Sequence, residues 1–206
     1  MGALLSNFRN TFIVSAVLAI LLIAVFAGQP NNTSGNMHEL MGHAAMRCLH
    51  VFFGILWIGL LYYFNFVQIR TMPKIPDELK PAIGKFIAPE ALFWFRWAAV
   101  GTLVTGILIA WARGYLVSSL TLNAAHGFAL DDGTVFIGIG MWLAIIMFLN
   151  VWLVIWPNQK IALGLVEAPA EAKPKAARTA MLFSRTNMLL SLPMLVAMTM
   201  RQTMWG

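Results

Sequence analysis

Residues 50–68 read HVFFGILWIGLLYYFNFVQ. A bilayer core of about 30 Å is crossed by about 20 helical residues, so an apolar run of this length reads as one membrane-spanning helix. A helix that serves only as an anchor needs no polar groups. This one opens on His50, thins to Gly54 and Gly59, and closes on Tyr62, Tyr63 and Asn65.

Working outward, comparable runs fall near 11–28, 46–69, 91–112, 133–156 and 180–200. The chain has 206 residues, of which 60% are hydrophobic and 11% charged, with a mean hydropathy of +0.76. A water-soluble domain of this size cannot hide that much apolar surface. The expected fold is all-α: a polytopic membrane bundle of five transmembrane helices, forming a single integral membrane domain over 1–206. The first run also has signal-peptide features, with a cleavage-like Val25-Phe26-Ala27. It is expected to be retained and to count as a span.

The basic residues set the orientation. Arg9, then Arg70, Lys74, Lys80 and Lys85, then Lys160, Lys173, Lys175 and Arg178 fall on one side. Arg47, Arg113 and Arg201 fall on the other. The positive-inside rule therefore puts the N-terminus inside and the C-terminus outside, in a cytoplasmic membrane. The same distribution answers the net charge of +6. The charges sit in short loops, not in a binding stripe, so no nucleic acid is expected as a partner. The lipid bilayer is. The single cysteine, Cys48, excludes an internal disulfide and a Cys-x-x-Cys-His haem attachment within these residues. Between the spans, 28–37 read as a polar turn, 71–90 with their prolines as an irregular loop, and 167–178 as a mobile Ala/Pro/Lys connector.

His50 carries the chemistry. His43 lies seven residues before it, on the same helical face, which continues through Trp57. Gly54 is one turn along and Arg47 close to one turn back. A flat macrocycle held in a membrane needs an imidazole ligand, a gap for the ring and a cation for its propionates. His50 is therefore the expected iron ligand of a b-type haem, with Gly54 and Trp57 beside the ring and Arg47 on a propionate. His43 or His126, in an outer loop, is the candidate second ligand. The alternative for His50 is a histidine that only ties two helices together.

A second group of polar residues lies at the inner ends of the spans: Asn65, Gln68, Arg96, Asn150, Arg185 and Asn187. A charge at membrane depth costs at least about 2.5 kcal/mol, so Arg96 is expected to face the bundle interior with a partner. Asn65, Arg96 and Asn150 are read as an inner polar pocket, and Arg185 as a snorkelling side chain. No carboxylate lies inside any span, which speaks against a proton-driven pump or transporter.

Four stretches carry a family resemblance: HVFFGILWIGLLYYFNFVQ (50–68), ALFWFRWAAVGTLVTG (91–106), MFLNVWLVIWPNQK (147–160) and SRTNMLLSLPML (184–195). In this order they resemble the membrane domain of the bacterial urate hydroxylases, the urate oxidase N-terminal domain. The second span is also similar, more distantly, to the haem-binding helix of HemJ-type protoporphyrinogen oxidases and copper-resistance membrane proteins. The resemblance implies a membrane-bound oxidoreductase, followed in fuller members by a cytochrome c domain on the outer side. The expected function is thus transfer of electrons through haem b to a separate periplasmic cytochrome c. The alternative is a non-catalytic accessory subunit of a respiratory or photosynthetic membrane complex.

Overall fold

The computed structural model describes residues 6–27, 37–129 and 132–205, and divides into two units, Met1–Arg47 and Cys48–Gly206. Among the described residues every regular element is helical. The expected polar turn at 28–37 lies almost wholly outside them, as do Asp131 and the side chain of His38.

The first unit contains α1, Phe8–Ala27. Asn7 caps it, its side-chain oxygen accepting from the Asn10 amide at 3.3 Å, as short polar residues do at helix starts. Its faces are apolar and exposed, with Phe12, Leu18 and Leu22 standing out.

The second unit takes over α2 (Met37–Tyr62) from Cys48 and adds α3 (Ala88–Ala112), α4 (Gly133–Leu149) and α5 (Ala172–Trp205). With their continuations, four helices are long and apolar enough to cross a bilayer: Gly42–Lys74, Lys80–Ala112, Gly133–Ala162 and Ala172–Trp205. They outrun the apolar stretches in the sequence because helical backbone continues beyond the hydrocarbon.

Three of the continuations pass through π-helical turns, at Tyr63–Gln68, Ile83–Ile87 and Asn150–Ile155. Two of these turns are followed two residues later by a proline, Pro89 and Pro157. Proline lacks the donor for the ordinary helical bond and clashes with the carbonyl four residues back. In both cases that carbonyl, of Lys85 or Leu153, lies in the widened turn. The 71–90 segment, expected to be an irregular loop, is irregular only briefly and is helical again from Lys80, with Pro81 in the first turn where no bond is lost. The connector expected to be mobile at 167–178 is helical from Ala172. Its Ala and Lys residues favour helix, and Pro174 sits in the first turn, where no bond is lost.

Two helices stop in the same way. Gly114 and Gly164 take φ of +74° and +71°. The following amides, of Tyr115 and Leu165, reach back to Ala110 and Lys160 carbonyls at 3.1 and 2.9 Å.

The core joins Trp57, Leu61 and Phe64 of α2 and its continuation to Leu92, Phe95 and Ala99 of α3, and to Met147, Val151 and Ala180. Phe64 meets Phe95 edge-on at 5.6 Å. Trp57, expected beside a cofactor, is 1% exposed and belongs to this core. Elsewhere small residues let the backbones approach, as membrane helices do. A Cβ on Gly140 of α4 would stand 2.7 Å from Ala197 Cβ of α5. The large apolar side chains Ile55, Phe66, Leu153, Leu189 and Leu192 point outward. In lipid these need no covering.

Candidate functional site

His50 leans across from α2 onto α3. Its Nδ1 lies 3.0 Å from the Thr102 carbonyl oxygen and 3.1 Å from Thr105 Oγ1. A carbonyl only accepts, so Nδ1 must donate. The Thr105 hydroxyl donates to the Gly101 carbonyl at 2.6 Å and is left free to accept. The neutral ring is therefore the Nδ1–H tautomer, and the lone pair sits on Nε2. The close approach depends on Gly106: a Cβ there would lie 2.9 Å from His50 Cε1. Gly101 admits Phe53 in the same way, its own Cβ position lying 2.5 Å from the Phe53 ring.

The glycine opposite His50 is thus Gly106. Gly54, expected to make the gap, faces open space, with no atom within 4 Å of a Cβ built there. His43 is half-buried and Arg47 exposed, both in the first unit. His126 is exposed, and its Nδ1 is 3.0 Å from Asn123 Oδ1 in its own loop. Asn123 in turn donates to Asp132, the N-cap of α4. The Thr134 amide, and then the Asn123 side chain, hold the Asp132 carboxyl below its ordinary range.

The inner polar residues do not form one cluster. Asn65 donates through Nδ2 to the Leu61 carbonyl and to Ser184 Oγ, both at 2.9 Å. Asn150 donates to Asn187 Oδ1 at 2.9 Å, and Asn187 donates to the Met147 carbonyl at 2.9 Å. Tyr62 OH lies 3.1 Å from Ser191 Oγ. Ser184, Asn187 and Ser191 lie on one stripe of α5, so the pattern is a ladder tying α5 to α2 and to the α4 continuation. Arg96 stands apart from it, 9% exposed and stacked on Trp156 with its guanidinium carbon 3.4 Å from the ring centroid. Its expected buried partner is thus an aromatic face. Arg185 is exposed, as a snorkelling side chain is.

Thr102, Thr105, Gly106, Ser184 and Ser191 were not singled out in the sequence. The signal was there: Ala98, Gly101, Thr102, Thr105 and Gly106 follow the three–four spacing of one small helix face, as do Ala176, Ala180, Ser184, Asn187 and Ser191.

Residues 115–202 match the model of the family described as urate oxidase N-terminal. The matched segment takes in α4 and its continuation and α5 to Gln202, and so the motifs at 147–160 and 184–195. The motifs at 50–68 and 91–106 precede it. The resemblance read from the sequence is borne out over this segment. No curated protein and no solved structure matches the chain.

Proposed function

We propose that this chain is an inner-membrane redox protein, crossing the bilayer five times with its N-terminus inside, that holds b-type haem through His50 and delivers electrons to a periplasmic cytochrome c. The observation that carries the reading is the fixed tautomer of His50. A ligating histidine keeps its second nitrogen donating to a carbonyl or carboxylate, which orients the ring and raises its basicity. Thr102 and Thr105 supply that partner for Nδ1, leaving Nε2 as the donor to iron. The open space beside Gly54, one turn along the same helix, leaves room for a planar group. The residues therefore fit a histidine that would hold the haem iron.

A b-type haem supplies a one-electron couple. The protein's part is to bind it, to hold the imidazole neutral and to surround it with apolar helix. The family match over 115–202 supports an oxidoreductase and makes urate the first electron donor to test. The test is a reduced-minus-oxidised absorption spectrum of the purified protein. A Soret band that is lost in His50→Ala is expected. A wild-type protein with no such band, or a variant that keeps it unchanged, removes the proposal.

The accessory-subunit reading has one observation in its favour. The two bonds from His50 to α3 already suffice to tie two helices. On that reading the protein co-purifies with a larger membrane complex and shows no haem spectrum of its own.

A further inference from the structure

A cavity of about 110 Å³ lies below the core, lined by Phe64, Gln68, Phe95, Gln159, Ala177 and Ser184 among others. It is not the His50 site. Its walls are mostly aromatic and aliphatic, yet two buried acceptors in or beside it lack a donor. Gln68 Oε1 has no hydrogen-bond partner. Asn65, joined to the wall through Ser184, spends both amide hydrogens on Leu61 and Ser184, and its Oδ1 is also without a partner. Unsatisfied buried acceptors are costly, so these oxygens call for a donor.

We infer that this cavity is a binding site for a planar six-membered ring bearing O–H or N–H donors, lying among Phe64, Leu92 and Ile155 with a donor on Gln68. Size limits the occupant to one ring. A closed apolar cavity of about 150 Å³ takes benzene. Here the smaller volume reaches the surface at Ala177, which is exposed, so the ring's outer edge extends into the mouth. A purely apolar occupant, such as a lipid tail, leaves the Gln68 acceptor unpaired. Such a ring reaches the site either as the head of a lipid-borne hydroquinone or as a soluble heterocycle.

The site is tested on the purified full-length protein in lipid nanodiscs, with hydroquinone under anaerobic conditions and uracil as probes, by ligand-observed saturation-transfer NMR. Saturable binding of at least one probe is expected. Gln68→Leu, which removes one acceptor, weakens it about tenfold. Ala177→Phe, at an exposed position that blocks the mouth, weakens it by more. Both variants are compared at unchanged helical circular dichroism and gel-filtration profile, and Thr186→Ala, exposed and bonded only within its own helix, binds like wild type. Binding of hydroquinone alone identifies a lipid-borne source, and of uracil alone a soluble one. If neither probe binds at millimolar concentration the cavity holds only water, and the inference fails. It fails equally if both variants bind as wild type does.

Discussion

At the scale of single residues, the polar side chains were legible and their partners were not. His50 and Asn65 stand out because each interrupts an apolar run. What each touches comes from a helix far away in sequence: Thr102, Thr105 and Gly106 for His50, Ser184 for Asn65. Gly54, near His50 in sequence, borders open space, and the glycine that meets the imidazole, Gly106, comes from another helix. Asn187 is the residue most exposed to this logic, since it both accepts from Asn150 and donates to Met147. Asn187→Ala strands groups on two helices and should cost about 1–2 kcal/mol, between soluble-protein and membrane values for such bonds. Thr186→Ala, one residue away and bonded only within its own helix, should stay within about 0.5 kcal/mol. Thermal or denaturant unfolding in detergent compares the two. Asp132 gives a pH-dependent case. Its folded pKa is lowered, so its stabilising contribution is complete above the ordinary carboxylate range and is lost as pH falls through the folded value. The advantage of wild type over Asp132→Ala in melting temperature should therefore shrink on acidification and be unchanged between neutral and mildly alkaline pH.

At the scale of elements, the long apolar runs announced helices, and the structure ends two of them at Gly114 and Gly164. The π-helical turns were hidden. A widened turn has no residue signature of its own. Only the prolines at 89 and 157 give two of them a visible cause, and Tyr63–Gln68 has none. A π-turn absorbs one extra residue, so the helix faces on either side of it stay in register. Deleting exposed Val67 should restore ordinary turns and leave the core faces aligned. Deleting exposed Ile55, from the regular part of the same long helix, rotates the His50 face by about 100° against Trp57 and Leu61. Gel filtration of detergent extracts should show a monodisperse protein for the first deletion and aggregate for the second. Two monodisperse deletions would refute the role given to the turn.

At the scale of the whole molecule, a composition of 60% hydrophobic residues decides that the helices live in lipid, and the placement of Lys and Arg proposes which way they run. Phosphatase fused after Gly206 or within 115–128 should be active on the outer side, and inactive when inserted between Ile75 and Leu79. The reverse pattern would invert the orientation. The sequence by itself determined the class, the number and approximate extent of the apolar runs, and the residues too polar to be there without a reason. Hydropathy and helix stops are local, so each is readable from its own neighbourhood. Only the tertiary structure decided which helix answers which. It turned His50 onto Thr102 and set its ring against Gly106, and drew Asn65, Asn150 and Tyr62 onto the stripe of α5. It also set Arg96 on Trp156 and left a cavity with two unanswered acceptors beside Phe64. In lipid the apolar faces are nearly equivalent, so packing of small residues and pairing of buried polar groups choose the partners. Both depend on surfaces that exist only once the helices have met.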